Sequence, residues 1–332
     1  MYVTEKHNIN SLKVCFLGSG AIGIPVLDSL MFGRDIEVAA CISQPDKPAG
    51  RNRQSRATPL ADFAERKKLE VKKPESVNTP EFREYLTALQ VDIVVVMAFG
   101  QILKKSLLEL PPFGCFNVHA SLLPRHRGAS PLENTIMNGD AETGVSFMKM
   151  DEGVDTGPVY QKFRTELSGE ETTGELETRL AYLAAGHVND CLRKIYRDSL
   201  SPVPQDENRA TYTQKLHKKD AEINWTENSK IIERKIRAFF PRPKAYTNLP
   251  SGRKNNRLQI TNARACAQDR YEAEPAEIVQ ADQNGWLVQC GQGLLQILRV
   301  LPEGKREMPA NEFLRGASIK PGIKMGERAQ ES

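Results

Sequence analysis

The sequence predicts an α/β fold: a Rossmann-like, mostly parallel sheet with helices on both faces, followed by a small β-barrel. Three observations carry that expectation. Up to residue 198, short apolar runs alternate with helical patterns; residues 199–212 are rich in Pro, Ser, Asn and Asp and lack periodicity; beyond residue 243, short strand-like runs are separated by Gly and Asn turns. The boundaries follow as 1–198 for a first domain, 199–212 for a linker and 213–332 for a second domain, in a chain long enough, at 332 residues, for two cores.

LKVCFLG at 12–18 is a short continuous apolar run, the pattern of a buried strand, and AIGIPVLDSLM behind it reads as a helix. IEVAACI (36–42) is a second strand, and ATPLADFAERKKL (57–69) a helix. VDIVVVMAFG (91–100) is a third strand, strongly β-branched, and CFNVH (115–119) a fourth. PLENTIMNG (131–139) reads as helical, and TGVSFMKM and VYQKFRTEL as two further strands. Residues 171–198 form a long amphipathic helix opened by Thr172 or Thr173 as N-cap. In the second domain ENSKIIERKIRAFF is a basic amphipathic helix; LQITNARA, AEIVQ, WLVQCG and LLQILRVL are short strands that build the barrel.

Hydrophobic residues at 39% suffice for packed cores, and 27% charged residues argue against disorder. No stretch has the length and apolarity of a membrane span, and the polar start MYVTEKHNINSLK lacks the middle and cleavage site of a signal peptide, so a cytoplasmic protein is expected. Six scattered cysteines without CxxC spacing suggest neither a zinc site nor a disulfide frame. Residues 197–332 hold 23 Lys and Arg against 17 Asp and Glu, and within them 228–257 carry nine basic residues and one acid. Such a stretch attracts polyanions, or is a solvated helix face and loop; charge alone leaves both open.

Gly18-Ser-Gly20-Ala-Ile-Gly23 follows a strand and opens a helix, as in the dinucleotide fingerprint. The acid expected at the end of the second strand is missing, because IEVAACI runs into Ser43 and Gln44; the favoured reading is a tight turn whose glycines permit close packing. The denser constellation is FNVHASLLPRHRG (116–128). Asn117 and His119 lie two apart at a strand end and project to one face, at the edge where open α/β sheets place their sites. In MDEGVDTG (150–157) two glycines bracket Asp155, as in a loop bent sharply to present one carboxylate. Amide, imidazole and carboxylate together suit acyl transfer to an amine: Asn117 donates to the oxygen of a tetrahedral intermediate, His119 polarises it or moves a proton, and Asp155 orients the ring. The alternative is a core histidine and a turn aspartate. His126 reads as structural or surface, and His7, His187 and His217 receive no role.

FNVHASLLPRHRGASP with MDEGVDTG strongly resembles the catalytic core of the formyltransferases that use 10-formyltetrahydrofolate. The resemblance makes Asn117, His119 and Asp155 the catalytic trio. It makes Met97, Ala98, Phe99, Gly100, Gln101, Ile102 and Leu103 a folate wall that reads the pterin largely through backbone groups, with Ser121, Leu122, Leu123 and Pro124 as further contacts to the 10-formyltetrahydrofolate co-substrate. Within the family, QPDKPAGR (44–51) looks like the loop with which the branch acting on methionyl-tRNA enters the acceptor arm. YTQKLHKKDAEINW and IRAFFPRPKAYT resemble that branch's entry into a C-terminal barrel of OB type. The implied reaction moves the formyl group onto the α-amino group of initiator methionyl-tRNA by direct amine attack, without a metal, in a monomeric enzyme. The implied tRNA-binding residues are Lys47, Arg51, Arg53, Arg56, Arg237, Arg242 and Lys244. Departures from the family pattern are GSGAIGIP in the first turn, Phe99 in place of Tyr, Arg242 in place of Trp, and NRQSRATP without a lysine run.

Loop 44–56, basic and broken by Pro45, Pro48, Gly50 and Asn52, is expected to have no regular structure by itself. Three other readings stand beside the main one: a folate formyltransferase acting on a sugar amine or small molecule, a tRNA-binding module without catalysis, and a nicotinamide dehydrogenase resting on GSGAIG.

Overall fold

The computed structural model describes residues 11–49, 54–249, 256–266, 272–282, 285–317 and 319–326. Its described residues fall into two compact units, the first drawn from Met1–Gly128, Glu142–Thr165 and Glu177–Thr213, the second from Ala129–Ala141, Glu166–Leu176 and Gln214–Ser332. Among them, no helix is long and apolar enough to cross a membrane.

The first unit is built on β1 (Leu12–Gly18), β2 (Ile36–Ile42), β5 (Val71–Lys72), β6 (Ile93–Met97), β7 (Cys115–His119), β9 (Glu142–Lys149) and β10 (Val159–Glu166). They form one seven-stranded sheet in the order β10-β9-β7-β6-β1-β2-β5. The pairs β1–β2, β1–β6, β2–β5 and β6–β7 are parallel, and β7–β9 is antiparallel. Every residue of β6, IVVVM, is buried, which is why its pattern is continuous rather than alternating. On one face Cys15, Leu17, Ala40, Ile42, Val94 and Val96 pack with Phe82 and Leu86 of helix α3 (Pro80–Ala88). On the other lie α1 (Ile24–Met31) and α2 (Pro59–Arg66): a Cβ on Gly18 would stand 2.7 Å from Leu60 and 2.8 Å from the Met97 carbonyl. That close approach is the service the first glycine performs. Helix α3 escapes a reading by periodicity but is signalled locally, since Thr79 caps it and Pro80 occupies its first turn. A short α4 (Lys105–Leu108) follows the β6 loop.

Loop 44–56 corrects an expectation. Instead of lacking structure it carries a two-stranded antiparallel hairpin, β3 (Lys47–Ala49) and β4 (Gln54–Arg56), with Lys47 opposite Arg56 and Pro48 opposite Ser55. An edge hairpin tolerates proline, which needs no donor partner on its outer side.

Helix α6 (Thr173–Tyr196) buries Leu180, Ala184, Val188, Cys191, Leu192 and Ile195, a stripe at helical spacing. Its start is a reciprocal box: the Thr172 hydroxyl accepts the Glu175 N–H while the Glu175 carboxylate accepts that of Thr172. Residues 199–213, aperiodic in sequence, are tied down as a strap. Val203 exchanges both backbone hydrogen bonds with Val159. At the far end β11 (Tyr212–Thr213) pairs in parallel with β8 (Arg127–Gly128).

The second unit contains α5 (Pro131–Asn138), α7 (Ser229–Ala238) and α8 (Ala310–Gly316), with β12 (Tyr246–Leu249), β13 (Asn256–Cys266), β14 (Ile278–Asp282), β15 (Gly285–Gln289), β16 (Leu294–Pro302) and β17 (Met308–Pro309). The strand order is β12-β13-β16-β15-β14, with β17 on β16, and the ladders are antiparallel. Among the described residues this is a half-barrel sheet. Register shifts in β13 near Asn262 bend it, as β-bulges do. Trp286, fully buried, stacks on Phe313 of α8, and α7 seats Ile232 and Ile236 in the core.

Candidate active site

Strand β7 positions two of the polar side chains. Alternation along the strand turns Phe116 and Val118, both buried, to one face, and Asn117 and His119 to the other. Asp155 arrives on the loop after β9 with φ of +53°, a left-handed conformation unusual for a residue with a side chain. The flanking glycines make room for that bend: a Cβ on Gly157 would lie 1.9 Å from the Lys149 carbonyl, and one on Gly153 2.0 Å from the Thr156 hydroxyl.

The three side chains meet. Asn117 Nδ2 donates to Asp155 Oδ1 at 3.3 Å, and His119 Nδ1 lies 3.5 Å from Asp155 Oδ2. That same Oδ2 accepts the Gly128 N–H at 2.8 Å. His119 is 7% exposed, and its Nε2 is 2.9 Å from the carbonyl oxygen of His126. A carbonyl only accepts, so Nε2 carries a hydrogen at this contact, and Nδ1 is the nitrogen that faces Asp155. His126, read in the sequence as structural or surface, thus holds the ring through its backbone carbonyl while its own side chain is buried.

A second layer supports the trio, and sequence reasoning missed it. Arg127 is fully buried; it donates to Gln205 Oε1 from Nε at 3.1 Å and from a terminal nitrogen at 3.0 Å, and forks onto Glu207 at 2.7 and 2.8 Å. Its hydrogen bonds to Glu207 hold the guanidinium above its ordinary pKa and the Glu207 carboxyl below its own. Gln205 turns its Nε2 to the carbonyls of Asp155 and Gly157, at 2.8 and 2.7 Å. No local motif marks Gln205, because its significance lies in contacts some 50 residues away.

The segment expected to wall the folate caps β6. Met97, Phe99 and Leu103 point into the core at 1%, 3% and 4% exposure, whereas Ile102 is exposed. The carbonyls of Ala98, Phe99 and Ile102 are taken by Ser19 N–H, by the Ser19 hydroxyl with Gln44 Nε2, and by Asn78 Nδ2. Gln101 is spent on Val77, whose N–H its Oε1 accepts at 3.0 Å. Gly100 differs: at φ of +86°, its absent Cβ would meet only Gln44 Nε2, 3.9 Å away. Open space over a bare peptide fits the approach of a flat heteroaromatic ring. Of the second stretch, Ser121 and Leu123 are buried and held by Ser146, whose hydroxyl accepts the Leu123 N–H and donates to the Ser121 carbonyl; Leu122 is half-buried, ahead of Pro124.

Of the basic residues, Lys47 and Arg56 oppose each other in the β3–β4 hairpin, while Arg51 and Arg53 lie outside the described residues. In the second unit Arg242 is exposed and lines an open cleft of about 550 Å³ together with Lys218, Arg257, His217 and Phe239. Lys244 sits 5.8 Å over the Phe240 ring. Arg257, which sequence reasoning counted only as charge, stacks 3.5 Å over Tyr246. Arg237 faces inward, donating to the Glu171 carbonyl at 2.9 Å, and burial pushes its pKa down.

Three polar side chains converging at the strand ends of an α/β sheet are an arrangement suited to acyl transfer, and similarity to known proteins gives the class as formyl transferase. Residues 12–188 match the family model described as formyl transferase, and residues 215–318 that described as formyl transferase, C-terminal domain. The methionyl-tRNA formyltransferase of Hydrogenovibrio crunogenus is 38% identical over 93% of this chain and 97% of its own length; that of Jannaschia sp. is 39% identical over 94% and 99%. The chain belongs to the formyltransferase family, in its methionyl-tRNA formyltransferase branch. An N-formyltransferase from Helicobacter canadensis, solved with folinic acid and dTDP-3-aminofucose, shares the fold at a TM-score of 0.58 and 19% identity, over 86% of this chain and 99% of that one.

Proposed function

We propose that this chain transfers the formyl group of 10-formyltetrahydrofolate to the α-amino group of initiator methionyl-tRNA, acting in the cytoplasm as a monomer. The observation that carries the reading is the meeting of Asn117, His119 and Asp155 in a chain related along both domains to methionyl-tRNA formyltransferases. The amino nitrogen attacks the formyl carbon, the bond from that carbon to N10 of the folate breaks, and the proton lost by the amine passes to N10. Asn117 Nδ2 donates to the oxygen that becomes negative at the tetrahedral stage. Asp155 and the His119 ring it faces take up the amine proton and return it to the leaving nitrogen. Folate lies against the peptide at Gly100, with residues 97–103 and 121–124 as its walls. Lys47, Arg51, Arg53 and Arg56 serve the acceptor end of the tRNA, and Arg242 and Lys244 its phosphates. The domain assignment of 1–198 to folate and chemistry, 199–212 to connection and 213–332 to tRNA accompanies this reading.

The test is to incubate the protein with 10-formyltetrahydrofolate and methionyl-tRNA, hydrolyse the ester and look for N-formylmethionine. Its appearance with methionyl-tRNA but not with amino-sugar nucleotides is the expected result; formylation of amino-sugar nucleotides alone would overturn the assignment.

A further inference from the structure

We propose that Gln205 is a positioning residue for formyl transfer and that the strap 203–213 belongs to the framework of the active site, an inference that rests on the role given to Asp155 above. The carboxamide is oriented by chemistry. Its oxygen meets a guanidinium, which only donates, and its nitrogen meets two carbonyls, which only accept. Each hydrogen of Nε2 is therefore committed to the loop that presents the aspartate, one at Asp155 and one at Gly157. That loop needs a clamp, because Asp155 sits at φ of +53° and relaxes to a more populated conformation unless its backbone is held.

The strap grips the opposing loop as well. Thr211 accepts the Arg127 N–H at its carbonyl and the His126 N–H at its hydroxyl, and its own N–H donates to the Pro124 carbonyl. Through β11 it pairs with Gly128, whose N–H is the shortest contact to the Asp155 carboxylate. One segment thus fixes both donors and acceptors that set where Asp155 stands relative to Asn117 and His119. Both family matches leave this segment out, one ending at residue 188 and the other beginning at 215. Displacing a reacting group by about 1 Å is enough to cost on the order of a hundredfold in rate, so a clamp on the main-chain carbonyl of the residue that carries the carboxylate acts on turnover.

The test uses Gln205→Glu in the full chain. Glutamate keeps the shape and still accepts from Arg127 but turns an oxygen, not two donors, toward the Asp155 and Gly157 carbonyls. The expected result is a fall in kcat of at least about tenfold, with KM for both substrates changed less than about threefold and the melting temperature near that of the parent. In the substrate-free protein, hydrogen exchange at the Gly128 amide should quicken by about tenfold or more. Glu84→Ala, an exposed position on α3 outside the strap, should change neither readout. Unchanged turnover in a normally melting Gln205→Glu protein overturns the proposal, and so does lost turnover without faster Gly128 exchange. If that variant does not fold, Gln205→Ala, which admits water to both carbonyls, is read by the same two measurements. A parent protein that fails to formylate methionyl-tRNA removes the proposed reaction, while the Gly128 exchange still decides the positioning role.

Discussion

The Asp155 carboxylate is anchored by the backbone of Gly128: Oδ2 accepts that N–H at 2.8 Å, while His119 Nδ1 stands 3.5 Å away. That donor position admits no side chain: Gly128 has φ of +100°, and a Cβ there would come within 2.5 Å of the Thr213 carbonyl. Gly128→Ala therefore has to part the β8–β11 pairing. It should destabilise the protein by about 1–3 kcal/mol and lower kcat by about tenfold or more, read by denaturant unfolding and by steady-state formylation.

Removing that carboxylate, or the imidazole it faces, should expose the chemistry directly. His119→Ala and Asp155→Ala are expected to reduce turnover by at least about a hundredfold, the scale of a lost acid–base group, with folate affinity little changed. A variant that retains near-normal turnover takes its residue out of the mechanism.

Phe99→Tyr restores the residue usual in the family but places a hydroxyl in a core position that is 3% exposed, packed with Val96 and Leu103. The expected effect is a loss of about 1–3 kcal/mol of stability where the hydroxyl finds no partner, with folate affinity unaltered. Equilibrium unfolding and a folate titration measure the two separately.

The basic residues of the second unit should divide by what their charged ends touch. Arg242→Glu with Lys244→Glu is expected to weaken tRNA binding and flatten its salt dependence by about one to two in the log–log slope, with turnover at saturating tRNA preserved. Arg237→Glu should instead lower the melting temperature, because its guanidinium is turned onto the Glu171 carbonyl. Equal salt slopes before and after the Arg242 and Lys244 reversal would reduce that stretch to a solvated face.

Asp35 gives a pH-dependent stability term. Hydrogen bonds of 2.7, 2.8 and 2.9 Å from Arg193 hold its carboxyl below the ordinary range. A depressed folded-state value means that the stabilisation is present above the unfolded value of about 3.9 and is lost as pH falls through the folded one. Asp35→Asn should cost up to about 1 kcal/mol at pH 7, since the pair is only partly shielded from solvent, and the gap to the parent should close as pH drops below about 4. Urea unfolding at a series of pH values follows it.

The sequence by itself determined the elements whose signal is local. The apolar run of β6, the turn of Gly18, the capping Thr172 and the β7 alternation that pairs Asn117 with His119 depend on neighbours within a few residues, where hydrophobic periodicity and backbone sterics act. Composition set the basic character of the second half. Tertiary structure decided what depends on residues far apart in the chain. It folded loop 44–56 into a hairpin, turned Arg237 inward although its neighbours made it look like a phosphate ligand, and grouped residues 129–141 and 166–176 with the C-terminal unit. It also gave the aperiodic strap its meaning, because a hydrogen bond from Gln205 to Asp155 spans 50 residues and leaves no periodic trace in either segment. Packing of an apolar face repeats along a chain and can be read from it; a single polar contact between two loops occurs once, and only the folded backbone brings its partners within 3 Å.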